Sequence, residues 1–154
     1  MQEIDDFDRK ILSLMQDDAR QTTEAIGAQV GLSATAVQRR LKRLRQAGAI
    51  RREIAVLDAA VTGKRITLIV QITLNKGRGH AVDGFKARMR ALPEVQQCFY
   101  TMGDSDFVLI VTAKDVADYE AFTRRAFFDD ATIAHFKTTI AMDTVKSGLD
   151  VPLD

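Results

Sequence analysis

The segment 31-GLSATAVQRRLKRLRQAGAIRR-52 has the most unusual composition in this chain. Residues 34–52 contain seven basic side chains and no acidic one, whereas the whole chain of 154 residues has a formal net charge of only +1. The positive charge is therefore a local property of one short segment. A local basic surface on a balanced chain is typical of a protein that binds a polyanion.

The same segment predicts a turn followed by a helix. Ser33 is a suitable N-cap and Gly48 can end the helix, so we expect the helix to cover about residues 34–46. At 100° per residue, three apolar residues fall within about 60° of one another and form the buried stripe: Val37, Leu41 and Leu44. Because the helix contains no Asp or Glu, its positive charges lack partners at the i,i+4 spacing and repel one another unless a polyanion neutralises them.

Two helices are predicted before this one. Apolar residues recur at helical spacing over about residues 5–18, and Thr22 or Thr23 can cap a second helix that Gly31 ends. Two helices joined by 31-GLS-33, the second with a basic face, are typical of a helix-turn-helix. We therefore predict that the helix at residues 34–46 enters the major groove of double-stranded DNA.

The predicted DNA contacts are the outward polar residues of this helix, the cap at its start and the arm that follows it. An Arg side chain can pair bidentately with guanine or phosphate, and a helix N-terminus can bind a phosphate through backbone N–H groups. Arg40 lies beside the apolar stripe and is a weaker candidate. The predicted set is Ser33, Thr35, Gln38, Arg39, Lys42, Arg43, Arg51 and Arg52.

The second half of the chain predicts an α+β domain. The expected order is strand–helix–strand–strand–helix–strand, with strands at 64–75, 95–102, 106–113 and 134–145 and helices at about 80–91 and 116–128. This order is the ferredoxin-like βαββαβ arrangement. The expected regions are a winged-helix-like helix-turn-helix domain at 1–50, an extended arm and linker at 51–63, and the ferredoxin-like domain at 64–154.

A sheet of this topology has helices on one face only. The other face, rich in Leu, Ile, Val and Phe, needs a cover, and the chain has no third layer to supply it. Burial against a second subunit is the simplest solution, so we predict a homodimer through this sheet.

Other features of the sequence exclude several classes of protein. The longest apolar run, 66-ITLIVQITL-74, is too short to span a bilayer, and the acidic N-terminus lacks the layout of a signal peptide. The single cysteine, Cys98, excludes an internal disulfide and a multi-cysteine zinc site. We therefore expect a cytoplasmic protein that contacts no membrane and holds no metal.

Three blocks of the sequence resemble, in order, the Lrp/AsnC family of transcriptional regulators, also called feast/famine regulators. The opening 4-IDDFDRKILSLMQDDAR-20 resembles the first helix of that family, and 30-VGLSATAVQRRLKRLRQAGAI-50 resembles its helix-turn-helix. The block 98-CFYTMGDSDFVLIV-111 resembles its glycine–aspartate effector loop between two strands. The three blocks at the expected spacing make the resemblance specific over nearly the whole chain.

The resemblance implies a sequence-specific DNA-binding transcriptional regulator, without catalytic residues or a cofactor, whose assembly or DNA affinity responds to a small molecule, typically an amino acid. It implies dimers that pair through their C-terminal sheets and assemble to an octamer, with the effector between dimers. Gly103 would let the ligand approach the backbone, and Asp104 would accept from an α-ammonium group. The implied effector-binding residues are Tyr100, Thr101, Met102, Gly103, Asp104, Asp106 and Thr138.

Three alternatives stay open at this point. The segment 103-GDS-105 is also ordinary turn chemistry for a hairpin. Haem-pathway decarboxylases resemble the same family, although this chain has only two histidines and concentrates its charge in the N-terminal helices. A metabolite sensor that acts through protein partners would use the N-terminal helices for protein contacts, and its DNA binding would depend weakly on salt.

Overall fold

The computed structural model describes residues 4–75 and 79–153. Its two compact units are Met1–Val56 with Lys146–Asp154, and Leu57–Val145. The helices are α1 Asp6–Asp17, α2 Thr23–Val30, α3 Ala34–Gln46, α4 Gly79–Ala91 and α5 Val116–Thr123, which continues as a π-helix over Arg124–Phe128. The strands are β1 Ile66–Leu74, β2 Val95–Tyr100, β3 Phe107–Ala113 and β4 Ile133–Ile140.

Capping side chains fix where the three N-terminal helices begin. Asp5 and Asp8 form a capping box at the start of α1, in which Asp8 N donates to Asp5 Oδ1 at 2.9 Å. Thr22 and Ser33 cap α2 and α3, and each side chain accepts a backbone N–H from three residues further on at 3.2 Å. Gly31 ends α2 with a φ of 75°, in the left-handed region that favours glycine. The predicted caps and the predicted bounds of α3 are confirmed.

The three helices share one apolar core. The predicted stripe of α3 is confirmed, because Val37, Leu41 and Leu44 are 0%, 4% and 3% exposed. The other helices contribute Ile11, Met15, Ile26 and Val30. Since the stripe of α3 is buried against α1 and α2, the opposite face of this helix is left to the solvent.

The turn between α2 and α3 packs closely on α2. A Cβ atom added at Gly27 would lie 2.4 Å from the backbone oxygen of Leu32, a separation that real Cβ atoms do not reach. The Gly27 oxygen also accepts from Gly31 N at 2.9 Å and from Leu32 N at 3.0 Å. The absence of a side chain at Gly27 therefore allows the turn to fold back onto α2 before α3 begins.

Four antiparallel strands form one sheet in the order β2-β3-β1-β4. In the centre of the sheet, Val70 of β1 lies opposite Leu109 of β3 and Thr138 of β4. Helices α4 and α5 pack on one face, so alternate strand residues are buried beneath them. The buried strand residues are Leu68, Val70, Ile72, Leu74, Phe107, Leu109, Val111 and Ala113. The predicted α+β architecture with a ferredoxin-like domain is confirmed.

The second face of the sheet is open and carries an apolar patch. Ile69 and Phe99 are 39% and 51% exposed. Ile69 lies opposite Ile110, and Phe99 lies opposite Val108, so the four side chains form a continuous patch across three strands. The expected uncovered face is therefore present, but its apolar part is a patch of Ile, Val and Phe, and polar residues such as Gln71 and Lys137 lie on the same face.

Two details differ from the expectation. Strand β4 ends at Ile140 rather than at residue 145, because its pairing partner β1 begins only at Ile66. The chain before β1 turns away at Gly63 and Lys64, whose φ values are 80° and 50°. Beyond Ala141, whose N–H donates to Thr67 O at 2.9 Å, β4 has no neighbour to pair with. Residues 47–65 carry no assigned strand, so the helix-turn-helix has no β-hairpin wing there.

We expect Gly27→Ala to lower the free energy of unfolding of the N-terminal unit by about 1–3 kcal/mol, because the added methyl group forces the turn off α2. The matched control is Gly84→Ala in α4, where the new Cβ meets only the end of the Arg88 side chain at 3.7 Å. That substitution should be neutral or stabilise by about 0.5–1 kcal/mol, since glycine weakens a helix interior. Urea unfolding followed by circular dichroism measures both, and equal effects would contradict the packing argument.

Candidate nucleic-acid interface and effector loop

A buried carboxylate on α1 holds the basic helix α3. Asp8 is 0% exposed, and its two oxygens accept from two arginines of α3, Arg40 at 2.8 Å and Arg43. Arg40 also donates to Asp5 at 2.7 Å, and Asp5 N donates to Asp8 at 3.2 Å. Burying a carboxylate without a partner costs several kcal/mol, so the hydrogen bonds from the two arginines offset the cost of placing Asp8 inside the unit.

The ion pair between Asp5 and Arg40 shifts the pKa of both groups. The Arg40 guanidinium, followed by the Asp8 backbone N–H, lowers the pKa of Asp5, and Asp5 and Asp8 raise the pKa of Arg40. A carboxyl whose folded-state pKa is depressed contributes stability that is present above its unfolded pKa and is lost as the pH falls through its folded pKa. The contribution of the Asp5–Arg40 pair to stability is therefore present at neutral pH and is lost as the pH falls through the pKa of Asp5.

The cluster corrects the interpretation of the basic segment. We expected the charges of α3 to lack partners and Arg43 to project outward, but Arg43 turns to Asp8, 35 residues earlier. Arg45 pairs with Glu53, eight residues later, at 2.8 Å. These partners lie outside the i,i+4 spacing, so the helix pattern does not reveal them. Three of the seven basic residues are neutralised within the unit itself.

The remaining predicted DNA contacts lie on the open side of the helix-turn-helix. Exposed members are Thr35, Gln38, Arg39, Lys42, Arg51 and Arg52. None of the four cations among them has an ion pair with another residue in the ranges 4–75 and 79–153. Ser33 is also exposed. Its Oγ accepts from Ala36 N, and its hydroxyl group can donate a hydrogen bond to a phosphate. This face combines unneutralised positive charge with hydrogen-bonding side chains, as DNA recognition requires.

The connection between β2 and β3, residues 101–106, is closed at its base by hydrogen bonds. Thr101 N donates to Asp106 O at 2.8 Å, and Thr101 Oγ1 donates to Ser105 O at 2.6 Å. Met102, Gly103 and Asp104 are exposed at its tip. No atom lies within 4 Å of the position that a Cβ of Gly103 would take, so the backbone there is open to a ligand.

Two predicted effector residues have structural partners at the base of this loop. Asp106 Oδ2 accepts from Leu74 N at 2.7 Å, and Asp106 N donates to Ile72 O at 2.9 Å, so Asp106 ties the loop to the end of β1. The Tyr100 ring lies 5.0 Å from the Phe107 ring, and Lys86 Nζ lies 4.6 Å from the Tyr100 centroid. Tyr100 is 59% exposed and forms an aromatic wall beside the loop.

Thr138 does not belong to this cluster within one chain. Strand β4 lies at one edge of the sheet and β2 at the other. The Thr138 hydroxyl lies 2.6 Å from the hydroxyl of Tyr119 on α5, so the side chain faces the covered side of the sheet. The strand order therefore separates Thr138 from residues 100–106 within one chain, and only a second copy could bring a Thr138 to them. Its role in an effector site between copies stays a prediction.

Neither a candidate metal site nor a candidate membrane-spanning helix occurs in residues 4–75 and 79–153. No three His, Cys, Asp or Glu side chains in these ranges are grouped so that they could hold a metal ion. No helix in them is long and apolar enough to cross a membrane.

Both halves of the chain match described protein families. The AsnC-type helix-turn-helix domain matches residues 4–45, and the Lrp/AsnC ligand binding domain matches residues 67–151. The second match alone covers more than half of the chain, and it includes both the open sheet face and the β2–β3 loop.

Relatives and solved structures agree with these matches. An HTH-type transcriptional regulator of Sinorhizobium fredii is 43% identical over 152 residues, which are 99% of this chain and 90% of that protein. An AsnC family transcriptional regulator from Agrobacterium tumefaciens has a TM-score of 0.89 at 30% identity, covering 96% of each chain. A transcriptional regulator from Neisseria meningitidis, solved as a complex with L-Met, has a TM-score of 0.90 at 26% identity, covering 99% and 98%.

We expect Asp8→Ala to lower the free energy of unfolding of the N-terminal unit by about 3 kcal/mol, because it removes the shared partner of two arginines and leaves a cavity in a buried site. The matched control is Asp6→Ala on the same helix, whose side chain is 91% exposed and which should change stability little. Urea unfolding of the two variants and the parent measures the difference. Equal stability of the two variants would contradict the anchoring role.

Proposed function

Because the chain belongs to the Lrp/AsnC family of transcriptional regulators, we propose that its exposed α3 face binds operator DNA and that a small molecule at the β2–β3 loop modulates this binding. The family and the relatives are transcriptional regulators with a helix-turn-helix, so the protein is a DNA-binding regulator and not an enzyme. The observation that supports the choice of face is the division of charge on α3, where one flank is neutralised by α1 and the other is not.

The proposed contacts follow from the geometry of each side chain. Arg39 and Lys42 are three residues apart and therefore neighbours on one helix face. The planar guanidinium of Arg39 can pair with a guanine edge or a phosphate, whereas the Lys42 ammonium is a point charge suited to a phosphate. Gln38 and Thr35 offer hydrogen bonds to base edges, while Arg51 and Arg52, on the segment after α3, are positioned by the chain to reach phosphates beside the groove.

We place the protein on DNA as a homodimer that buries the open sheet face. The apolar patch on this face has the composition of a subunit interface, and it consists of Ile69, Phe99, Val108 and Ile110. In a twofold-symmetric dimer, the same patch of each subunit packs against that of the other. Two copies of α3 then imply a roughly palindromic site whose half-sites are whole helical turns apart. Assembly of such dimers to an octamer is what membership of the family leads us to expect.

The proposed effector is an amino acid, with no further cofactor. The Asp104 carboxylate can accept from an α-ammonium group, the open backbone at Gly103 can approach the ligand, and Tyr100 offers an aromatic wall. The complex of the Neisseria meningitidis regulator with L-Met supports this class of ligand. The loop is an open surface in one chain, so the rest of the pocket, including a Thr138, would come from another copy.

We expect Arg39→Ala and Lys42→Ala each to make the negative slope of log K against log salt shallower by about 1, because each removes a phosphate contact or a charge beside the groove. The binding can be measured by fluorescence anisotropy on a duplex selected with the purified protein from a random library. A regulator that acts only through protein partners would show no steep salt dependence in the parent.

The matched control for these variants is Arg43→Ala, which removes the same charge from the same helix. Since Arg43 is paired with Asp8, this variant should keep the parental salt slope while its unfolding midpoint falls. If Arg43→Ala makes the salt slope shallower by as much as Arg39→Ala does, the assignment of the DNA-binding flank is wrong.

We expect at least one of the twenty amino acids, tested first with L-Met, to raise the melting temperature of the protein. A ligand at 100 times its dissociation constant stabilises by about 2.7 kcal/mol. Asp104→Asn should abolish the response and leave DNA affinity without ligand unchanged, because Asp104 lies away from α3 in the sequence and in a separate unit. The control Asp129→Asn, also an exposed loop carboxylate, should keep the response.

A further inference from the structure

Glu53 is an exception in the charge pattern of the helix-turn-helix. Residues 25–57 contain seven basic side chains and one acidic side chain, and that acid directly follows Arg51 and Arg52. An acid beside a DNA-binding surface is repelled by the phosphates, so on charge alone it weakens binding. In the structure, Nε and Nη2 of Arg45 both donate to Glu53 Oε1, at 3.0 and 2.8 Å. Glu53 is therefore bound to the last turn of α3.

Arg51 and Arg52 lie between two points at which the chain is attached to the helices. On one side, Ile50 is partly buried against the apolar core of the three helices, and its N–H donates to Leu44 O at 3.4 Å. On the other side is the Glu53 carboxylate, with its two hydrogen bonds to α3. The two arginines are thus held at both ends of a very short segment.

The attachment at Glu53 has no substitute nearby. Among residues 51–57, Glu53 is the only one with a hydrogen bond to another residue in the ranges 4–75 and 79–153. This stretch carries no assigned helix or strand, and all of its residues are exposed. Loss of the ion pair with Arg45 would therefore leave the two arginines attached at Ile50 alone.

We propose that Glu53 is a positioning residue for DNA binding, which acts through Arg45 to hold Arg51 and Arg52 beside the exposed face of α3. The inference rests on the proposed function, in which both arginines contact phosphates, and adds the residue that fixes where they lie. Side chains that are held in place before binding lose less conformational entropy when they bind. The acid itself repels the phosphates weakly, because Arg45 neutralises it.

Two neutralising substitutions distinguish positioning from simple electrostatics. Glu53→Gln and Arg45→Gln each break the ion pair, but the first removes a negative charge and the second removes a positive charge. If the pair holds the arginines, both variants should bind the selected duplex about two- to fivefold more weakly, the range expected for an ion pair whose side chains are 47% and 40% exposed. Tighter binding by Glu53→Gln than by the parent, as charge alone predicts, would overturn the proposal.

The loss of affinity should depend on the two arginines. Glu53→Gln alone should make the negative slope of log K against log salt shallower, by up to about 1, because phosphate contacts are lost although an acid has been removed. In a background with Arg51→Ala and Arg52→Ala, the same substitution should no longer weaken binding, since the contacts that it positions are absent. An equal loss in both backgrounds would contradict the assignment to these arginines.

An exchanged pair and a matched control complete the binding experiment. Arg45→Glu combined with Glu53→Arg restores an ion pair and should bind within about twofold of the parent, whereas each single reversal should bind more weakly than the exchanged pair. The control is Asp6→Asn, which removes one acid from the same unit and breaks its exposed ion pair with Arg9. It should keep the parental affinity and salt slope. Failure of the exchange to restore binding would count against the ion pair.

Limited digestion with trypsin tests the attachment without DNA. Arg45→Gln leaves the sequence around the bonds after Arg51 and Arg52 unchanged, so faster cleavage there reports a freer segment. Mass spectrometry should show these bonds cleaved about two- to fivefold faster in Arg45→Gln than in the parent, and at the parental rate in Asp6→Asn. Equal rates in all three proteins would show that the ion pair does not hold the segment.

The outcomes separate this inference from the proposed function. If Arg39→Ala weakens DNA binding while Glu53→Gln strengthens it, the positioning role is wrong and the proposed function stands. If the parent binds no duplex DNA, although trypsin detects the attachment, the proposed function is wrong, and with it the role of Glu53 in DNA binding.

Discussion

The buried carboxylate of Asp8 determines which charges of the basic helix face the solvent. Because this carboxylate is fully buried, it needs cationic partners, and both Arg40 and Arg43 turn toward α1 to supply them. The two arginines leave the same flank of α3, so they fix the rotation of that helix about its own axis. The flank that carries Arg39 and Lys42 is thereby presented outward in one orientation. The ion cluster and the proposed DNA-binding surface therefore lie on two flanks of a single helix.

The helix-turn-helix could be predicted because the features that define it are local. The cap at Ser33, the left-handed Gly31 and the stripe beginning at Val37 each depend on residues within one or two turns. The direction of the arginine side chains could not be predicted this way, since it depends on a carboxylate more than 30 residues earlier. The signal for it in the sequence is the spacing of Asp5 and Asp8 in 5-DDFD-8. These two residues form a capping box, and the Asp8 carboxylate is also buried against α3.

The ferredoxin-like unit shows the same division between local and distant information. Alternation along β4 correctly places Thr138 on the same side as Phe136, but alternation does not give the order of strands in the sheet. Asp106 lies in a segment that favours a turn or a ligand site, and its carboxylate is committed to Leu74 N because β1 ends beside it. Of the predicted effector residues, Tyr100, Met102, Gly103 and Asp104 are exposed in one chain. The candidate effector site is therefore incomplete without a second copy.

An incomplete site restricts how an effector could act on DNA binding. The base of the β2–β3 loop is fixed by hydrogen bonds to β1 and within the loop. An effector that acts through the proposed assembly would therefore change the arrangement of the subunits rather than the base of this loop. A ligand shifts that arrangement only as far as it binds one form better than another. Moving an equilibrium from 1:99 to 99:1 takes about a 10⁴-fold preference, which is large for one amino acid. Four equivalent sites with about a tenfold preference each reach that value together, so an oligomer lets a small and weakly selective ligand change the spacing of the DNA-binding helices.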